Sequence, residues 1–386
     1  MRMPGPWRPA RSGATRASSG VTVWRARDPG PAALAEWDRI VRTTPGTDVT
    51  QLSAWARLRA RAGYTPEYLL AYQRGRLIGG ALVLRRRLVG VAGIGYLPYG
   101  PLILPDAPNP QPIRHALEDA VVAVAHELRM LFVQPPEGGH EISHGLLRRG
   151  FRLSLAGIAP TGSMRVDLSG SEQQLRARAK RRLRPAATLW AGDAVTVRHG
   201  DERDIPLLAE LIAHSAQAHG YRPYSVDYLR AMYAELAGQV TLFIGEAGGV
   251  PVAADLVTSC GDMVRGRLIG FDRTGQARRL GVPAAVTWEI IRWAKEQGYR
   301  WYDFGGLPEP VLRDMLDLGI RHNPQWPSTT HAKLGWGAIA FRYPPPVELI
   351  RPNVVRIAYD AIRRYDRDQR LTGTARQLLR GTRKPC

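Results

Sequence analysis

The sequence has little of what metal sites and disulfide-stabilised folds require. It contains two cysteines, Cys260 and Cys386, which are too few for a disulfide framework and lack metal-ligand spacing. Nine histidines are scattered along the chain, and the closest pair, His140 with His144, has no third ligand nearby. We therefore expect no bound metal. The small number of cysteines is consistent with a protein of a reducing compartment.

The motifs of common catalytic sites are also absent. The sequence contains no Gly-x-Ser-x-Gly, no Walker loop, no His-Glu-x-x-His and no Cys-x-x-Cys. An enzyme without a nucleophile and its base must position a substrate that is already activated. If this chain is an enzyme, we expect catalysis of that kind.

Long apolar runs are missing as well. No stretch approaches the roughly 18 consecutive apolar residues that a membrane-spanning helix needs. Residues 1–20 are basic and rich in Gly, Pro, Ser and Arg, with no apolar run behind them, which is typical of a disordered tail and not of a signal peptide. The sequence therefore predicts a cytoplasmic protein.

Arginine is what the sequence has in excess. Lysine and arginine together number 54 against 34 acidic residues, a formal net charge of +20, and only four of the 54 are lysines. A high-GC genome explains the preference for arginine over lysine but not the net charge. That charge predicts a polyanionic partner such as RNA, phosphate groups or an anionic membrane face. Residues 176–184 and 351–386 are the most basic segments.

Two parts of the chain repeat one order of elements, namely helix, helix, hairpin, strand, helix, strand. The first hairpin turns at residues 73–76 and the second at Gly248-Gly249, while residues 95–101 are predicted to form a loop. This pattern predicts an α/β (α+β) fold with two domains, each a mixed central sheet flanked by helices. The predicted divisions are a tail at 1–20, domains at 21–160 and 161–345 joined near 157–168, and a basic C-terminal helix and tail at 346–386.

A candidate phosphate site follows a strand in the second domain. Arg278-Arg279-Leu280-Gly281 precedes a predicted helix, whose amide groups and dipole favour an anion. The segment resembles the pyrophosphate loop of the GNAT acyltransferases. Pro283 stands where that loop has Gly or Ala, however, and lacks an amide donor. We expect phosphate binding by Arg278 and Arg279, but acyl-CoA binding is disfavoured.

A series of motifs resembles the Fem (FemABX) aminoacyl transferases over about residues 23 to 345. Its centre is Tyr302-Asp303-Phe304-Gly305-Gly306, followed by Lys333-Leu334-Gly335-Trp336-Gly337. Four further pieces occur in the order of that family: Gln51-x-x-x-Trp55, Tyr99-Gly100-Pro101, Lys180-x-x-Leu183-Arg184-x-Ala186 and Trp293-Ala294-Lys295-x-x-Gly298-Tyr299. Ala332, and Trp336 with Gly337, depart from the aromatic and Phe-Gly-Gly positions of the family pattern.

The resemblance implies two GNAT-like domains in a monomer that moves an amino acid from aminoacyl-tRNA onto an amine. The acceptor in that family is typically a peptidoglycan precursor, and no cofactor is implied beyond the aminoacyl-tRNA co-substrate. Lys333 matches the family's lysine proposed to stabilise the charge of the tetrahedral intermediate. Asp303 is the second catalytic candidate, although a structural role in accepting hydrogen bonds from loop amides is favoured for it.

The resemblance also implies binding residues. The predicted substrate-binding residues are Arg59, Tyr99, Arg222 and Trp336. Tyr96 and Tyr99 either line an acceptor groove or fill a loop core. Contacts with tRNA phosphates fall to a basic helix that carries Lys180, Arg181 and Arg184. In such a helix Lys180 and Arg184 share one face at a spacing of four residues.

Three functions stay open at this point. The favoured one is aminoacyl-tRNA-dependent transfer to a peptidoglycan precursor or to a peptide-antibiotic intermediate. The alternatives are an acyl-CoA-dependent GNAT N-acyltransferase and a non-catalytic RNA-binding protein, because a fold does not determine a function. The basic C-terminal segment fits contact with either tRNA or an anionic membrane.

Overall fold

The computed structural model describes residues 15–16, 20–88, 91–180, 183, 194–219, 223–272 and 276–365. The first half of the chain forms strands and helices in an alternating order. Its strands are β1 (Thr15–Arg16), β2 (Val21–Ala26), β3 (Thr65–Gln73), β4 (Arg76–Leu88), β5 (Val91–Leu97), β6 (Leu102–Ile103), β7 (Met130–Val133) and β8 (Arg152–Leu153). Its helices are α1 (Pro31–Thr43), α2 (Ser53–Ala60), α3 (Pro110–Glu127) and α4 (His140–Arg148).

The second half repeats this alternation. Its strands are β9 (Gly162–Asp167), β10 (Val195–Gly200), β11 (Val240–Ala247), β12 (Val250–Cys260), β13 (Met263–Phe271), β14 (Trp301–Gly306), β15 (Ile339–Arg342) and β16 (Val347–Ile350). Its helices are α5 (Glu172–Arg178), α6 (Ile205–His219), α7 (Val226–Glu235), α8 (Gln276–Arg279), α9 (Val282–Glu296), α10 (Glu309–Leu316), α11 (Ser328–Leu334) and α12 (Asn353–Tyr365).

The strands form two mixed sheets. The first has the order β1-β2-β3-β4-β5-β7-β16-β8, with β6 added to β4, and the second has the order β10-β11-β12-β13-β14-β9-β15. Within the described residues each sheet contains one parallel pair, β5 with β7 and β13 with β14, among antiparallel pairs. The predicted fold class, two mixed sheets flanked by helices, is confirmed.

Two segments at the predicted domain boundaries contain strands. The segment near 157–168, expected to join the domains, already contains β9, which lies between β14 and β15 inside the second sheet. The segment after residue 345 does not begin with the expected helix. It first returns to the first sheet as β16, where Val347 pairs with Val133. Burial drives this return, because Val347 and Ile350 are fully or almost fully buried.

The predicted hairpin at residues 73–76 is present, and its turn chemistry explains it. Arg74 and Gly75 both have positive φ, 51° and 79°, as a tight turn between twisted antiparallel strands requires. The predicted loop at 95–101 is wrong in its first part, because Gly95 lies in β5. A Cβ at Gly95 would lie 2.5 Å from a Leu128 methyl, so glycine here allows close packing and is not a sign of a loop.

The hydrophobic core continues from one half into the other. One cluster joins α1 and α2 of the first half with α6 and α7 of the second, and includes Trp37, Leu58, Leu208 and Leu229. The outer face of the first sheet packs on α3 and α4, and that of the second packs on α9. A hydrogen bond from the Gly46 amide to Asp262 Oδ1 (2.9 Å) adds a polar link. The two halves therefore share one interface, at which the cavity described below lies.

Candidate functional site

A cavity of about 370 Å³ lies where the two halves meet. Its lining comes from both halves and mixes aromatic rings with cationic and small residues. The first half contributes Thr50, Trp55, Arg59, Tyr96 and Tyr99, and the second contributes Ser163, Tyr224, Tyr228, Arg265, Arg267, Asp303, Gly305, Gly306 and Tyr343, among others. A cavity of this size and composition suits a small polar substrate or one end of a larger one.

The two central strands of the second sheet open this space by separating. β13 and β14 pair in parallel only where Met263 to Arg265 lie beside Trp301 to Asp303. Beyond that point residues 266–268 on one strand and Gly305 with Gly306 on the other line the cavity. Gly305 has φ of +80°, and its amide donates to Asp303 Oδ1 at 2.7 Å. The Asp-Phe-Gly-Gly segment is thus the bent wall of the cavity.

Asp303 is saturated with hydrogen-bond donors. It is fully buried, and its Oδ2 accepts from the Tyr343 hydroxyl at 3.1 Å and from Arg165 Nε at 3.4 Å. Arg265 Nη2 lies 3.4 Å from the same oxygen. With two arginines and a loop amide on it, this carboxylate is poorly placed to take a substrate proton. The structural acceptor role that was favoured for Asp303 agrees with this geometry.

A buried ionic network continues from Asp303 into the first half. Arg265 donates to Tyr343 Oη at 2.7 Å and to Asp48 Oδ2 at 2.6 Å, and Arg267 reaches the same Asp48 oxygen at 2.9 Å. Burial alone would raise the pKa of the Asp48 carboxyl, but the charges of Arg267 and Arg265 outweigh it and lower that pKa to about 2. Asp48 therefore stays charged and ties the first half to β13.

Arg165 closes the other side of this network. Its Nη1 donates to Glu137 Oε2 at 2.6 Å, its Nη2 donates to Tyr343 Oη at 3.1 Å, and its guanidinium lies 3.6 Å from the Phe341 ring centroid. Arg165, Arg265 and Arg267 thus face the three carboxylates of Asp48, Asp303 and Glu137. Such balance is what makes buried charges tolerable.

The Ser163 hydroxyl, in the cavity lining, has no partner among the described residues. Ser163 lies on β9 opposite Gly306 and is 1% exposed, yet its Oγ makes no hydrogen bond with any of them. A buried hydroxyl without a partner is costly, so a group that binds it on entering the cavity is favoured. Ser163 is therefore a candidate substrate-binding residue that the sequence did not indicate.

Lys333 lies behind the bent wall. From α11 its Nζ donates to the carbonyl oxygens of Gly306 (2.7 Å) and Gly305 (3.1 Å). Burial lowers the pKa of this ammonium, and the Asp303 charge only partly opposes the effect. No described carboxylate lies within 4 Å of it, in contrast with the three arginines of the network. Lys333 does not line the cavity itself, but Gly305 and Gly306, whose carbonyls it contacts, do.

Two of the predicted substrate contacts lie on the cavity. Arg59 is 1% exposed, lies 4.3 Å from the Tyr64 ring centroid and hydrogen-bonds Tyr228. Tyr99 has φ of 47°, and the Arg265 guanidinium lies 5.0 Å from its ring centroid. Tyr96 also lines the cavity, so Tyr96 and Tyr99 face this space and do not only fill a loop core.

The other predicted substrate contacts are not brought to the cavity. Trp336 is 6% exposed and stacks on Trp288, with ring centroids 6.3 Å apart and planes at 17°. Both tryptophans belong to the core of the second half. Trp336 is therefore a packing residue in this structure, and Arg222 lies outside the described residues.

The predicted basic helix ends earlier than expected. α5 ends at Arg178 and Ala179 is extended, with φ of −66° and ψ of 143°, so Lys180 is not helical. The prediction that Lys180 lies on a helical face is therefore wrong. Arg181 and Arg184 lie outside the described residues. The Lys180 amide donates to the Gly335 carbonyl at 2.7 Å, and its side chain is exposed. Lys180 thus stays close to the Lys333 segment through its backbone.

The predicted phosphate loop is only partly suited to an anion. Arg278 and Arg279 lie in the short α8, with Arg279 exposed, and Gly281 is left-handed with φ of 68°. At the start of α9 the amides of Ala284 and Ala285 already donate to the Gly281 carbonyl. Pro283 has no amide hydrogen. This geometry leaves few backbone donors for a pyrophosphate.

Sequence motifs explain part of the site, and distant contacts explain the rest. Gln51 of the Gln-x-x-x-Trp motif is fully buried and bonds the β4 backbone and the Pro98 carbonyl, while Trp55 lines the cavity. Sequence reasoning missed Asp48, Arg165 and Arg265. The available signal was a pair of arginines, Arg265 and Arg267, inside a strand whose other residues are apolar or glycine, because such charges need buried partners.

Comparison with known proteins identifies the fold. Residues 173–310 match the family model described as acetyltransferase (GNAT) domain, and no curated protein matches the sequence. The crystal structure of FemX aligns with a TM-score of 0.71 at 17% identity, covering 85% of this chain and 98% of that one. A tandem GNAT protein from the clavulanic acid biosynthesis pathway aligns with a TM-score of 0.49 at 13% identity, covering 86% and 99%.

A third structure, L-PGS from Bacillus licheniformis, aligns with a TM-score of 0.45 at 13% identity, covering 74% of this chain and 85% of that one. The last two scores are too low to establish a shared topology. The FemX alignment covers most of this chain and nearly all of that protein. The chain therefore has the two-domain GNAT-like fold of FemX, as its resemblance to the Fem family predicted.

Proposed function

We propose that this protein transfers an amino acid from aminoacyl-tRNA onto an amine. The observation that carries the proposal is Lys333, a half-buried cation without a described carboxylate partner, held against the wall of a cavity that both halves line. An ammonium ion in that position is suited to stabilise negative charge that develops during acyl transfer. Three other cations near the cavity, Arg165, Arg265 and Arg267, already face carboxylates, and a fourth, Arg59, packs on the Tyr64 ring.

The proposed reaction needs little chemistry from the protein. The amine nitrogen attacks the carbonyl carbon of the aminoacyl ester, and the new C–N bond forms as the carbonyl oxygen becomes negative. The C–O bond to the ribose then breaks, and a proton passes from the amine to the ribose oxygen. Lys333 is proposed to stabilise the oxyanion from behind the wall formed by Gly305 and Gly306, and the walls of the cavity are proposed to align ester and amine.

The charge of the chain supports tRNA as the donor. A net charge of +20 favours a polyanion, and the contribution of phosphate contacts decreases as salt increases. The acceptor amine is proposed to belong to a peptidoglycan precursor or to a peptide-antibiotic intermediate. Arg59 and Tyr99, which line the first-half side of the cavity, are proposed to bind it.

A second function has support from the match of residues 173–310 to the GNAT acetyltransferase domain. In that case the donor is an acyl-CoA. The few free amides at the start of α9 count against it, because a pyrophosphate needs several backbone donors. Binding of acetyl-CoA without any requirement for tRNA would select this alternative.

The test is a transfer assay with the full-length protein. Bulk tRNA charged with labelled amino acids is incubated with protein and cell extract, with and without RNase pretreatment. We expect label in an RNase-resistant, base-stable product only when the tRNA is intact, and the mass of the product identifies the amino acid and the acceptor. No transfer from any charged tRNA would contradict the proposal.

A matched pair of lysine variants tests the role of Lys333. Lys295 also donates to a backbone carbonyl, that of Leu168 at 3.2 Å, but does not line or contact the cavity wall. We expect Lys333→Met to lower kcat by about 100-fold while tRNA binding is retained, which is the typical loss of one oxyanion donor. Lys295→Met should have little effect on kcat. Equal losses in both variants would refute the catalytic role.

A further inference from the structure

The C-terminal helix α12 turns an apolar face to solvent. Val354, Ile357 and Ile362 are 68%, 65% and 50% exposed, which places them among the most exposed large apolar side chains of the described residues. At 100° per residue these three side chains fall within an arc of about 140°. Ala358 lies inside this arc and is also exposed. A continuous apolar face of this kind needs a partner.

The opposite face of α12 fixes the helix to the first sheet. Asp360 accepts two hydrogen bonds from Arg152, at 2.6 and 2.7 Å, and Tyr359 packs near Phe132 with ring centroids 6.3 Å apart. The helix thus packs Tyr359 and Asp360, both partly buried, against the first sheet and exposes its aliphatic face. Because Arg152 and Phe132 lie on strands, α12 cannot rotate its aliphatic face inward without breaking these contacts.

Arginines lie beside and around the apolar face. Arg364 borders it, about 20° from Ile357, Arg351 precedes the helix, and Arg356 lies on the opposite side. All three are exposed with no ion pair inside the described part of the chain. Arg129 is also exposed, and its carbonyl oxygen accepts a hydrogen bond from the Arg351 amide at 2.9 Å. The sequence after the helix, residues 366–386, adds six basic residues against two acidic ones. The apolar face is therefore bordered by Arg364 and belongs to a strongly basic segment of the sequence.

We propose that α12 binds the surface of an anionic lipid bilayer. Exposed aliphatic side chains flanked by arginines are typical of a helix that lies in the interface of a membrane, with the apolar groups among the acyl chains and the cations at the headgroups. An RNA would use the arginines but would leave Val354, Ile357 and Ile362 in water. This membrane contact does not depend on the reaction proposed above.

The position of α12 relates the bilayer to the cavity. Phe132, which Tyr359 covers, pairs in register with Tyr96 of β5, and Tyr96 lines the cavity. Side chains paired in register lie on the same face of a sheet. The membrane helix and the cavity therefore share one face of the first sheet, so that binding through α12 holds the cavity near the lipid surface.

Flotation of the full-length protein with vesicles tests the proposal. One vesicle population contains phosphatidylcholine alone and the other also contains phosphatidylglycerol. We expect the protein to float with the anionic vesicles, and binding to weaken with added salt because the headgroup contacts are screened. Failure to bind the anionic vesicles at low salt would overturn the proposal, whether or not the protein has transferase activity.

A pair of variants separates a specific contact from general stickiness. Ile357→Asp places a charge on the apolar face, whereas Val250→Asp changes a side chain that is 61% exposed at the second hairpin. We expect Ile357→Asp to reduce vesicle binding by at least about tenfold, because a buried aliphatic group is replaced by a charge. Val250→Asp should bind as the parent does. Both side chains are exposed, so the melting temperatures should match that of the parent.

Two results would overturn the proposal that the apolar face of α12 binds a membrane. The first is equal vesicle binding by Ile357→Asp and Val250→Asp. The second is a parent protein that forms dimers in solution without binding vesicles, while Ile357→Asp is monomeric, since the apolar face would then contact a second copy. Sedimentation velocity of the same two proteins measures this second outcome.

Discussion

Asp255 is a buried carboxyl group in the middle of the second sheet, and its titration should be visible in the stability of the protein. It lies on β12 between Phe243 and Ile269 of the neighbouring strands and is 3% exposed. Its Oδ1 has no hydrogen-bond partner among the described residues. Burial raises the pKa of this carboxyl from 3.8 to about 8, since its charged form is poorly solvated there.

The sign of the effect follows from proton binding. Between the unfolded pKa of 3.8 and the folded pKa of about 8, the unfolded chain has lost this proton and the folded protein retains it. The free energy of unfolding therefore falls with increasing pH, by about 1.4 kcal/mol per pH unit for this one group. From about pH 5 to about pH 7 the loss is on the order of 3 kcal/mol.

Asp255→Asn keeps the size of the side chain and removes the titration. We expect the stability of the variant relative to the parent to increase by about 3 kcal/mol between about pH 5 and about pH 7. Urea unfolding followed by circular dichroism at several pH values measures this difference. Glu202→Gln, a change at an exposed carboxyl, is the control and should follow the parent closely. Parallel stability curves for parent and Asp255→Asn would refute the reasoning, because they would mean that Asp255 is charged in the folded protein.

Three further substitutions test the site and its support. Ser163→Ala should lower kcat/KM about tenfold, the loss of one hydrogen bond to substrate, with an unchanged melting temperature; unchanged kinetics would remove Ser163 from the site. Arg165→Met leaves Asp303 and Glu137 without this partner and should destabilise the protein by about 3–5 kcal/mol in urea unfolding, whereas a loss near zero would contradict the network. Trp336→Ala should cost about 3–5 kcal/mol as a core truncation; a raised KM with unchanged stability would instead support its predicted contact with substrate.

Local chemistry made much of the fold predictable. The turns at residues 73–76 and at Gly248-Gly249 were predictable because each contains glycine. Glycine readily adopts the positive φ that a short turn between two strands requires. The wrong assignments have equally local causes. Gly95 resembled a loop residue because sequence patterns do not reveal that Leu128 packs against it, and Lys180 was assigned to a helix because its charge pattern continues past the residue at which the helix ends.

The candidate site was predictable only where its residues belong to contiguous motifs. The segment from Tyr302 to Gly306 and the lysine at 333 were identified together, and the structure brings Lys333 to the Gly305 and Gly306 carbonyls. Arg59 and Tyr99 were also identified, and both line the cavity. Trp336 was assigned to the site because it lies close to Lys333 in the sequence. Lys333 is on the short helix α11 and Trp336 follows its end, so the two side chains point in different directions.

By itself the sequence determined two mixed sheets with flanking helices, a strongly cationic surface and the motifs on either side of the cavity. Those features depend on residue type and on spacing over short distances. Only the tertiary structure decided that Asp48 lies against Arg265, that Arg165 spans Asp303 and Glu137, and that β16 returns to the first sheet. These contacts join residues far apart in the chain, and they form because buried charges and a buried strand need partners that local patterns do not specify.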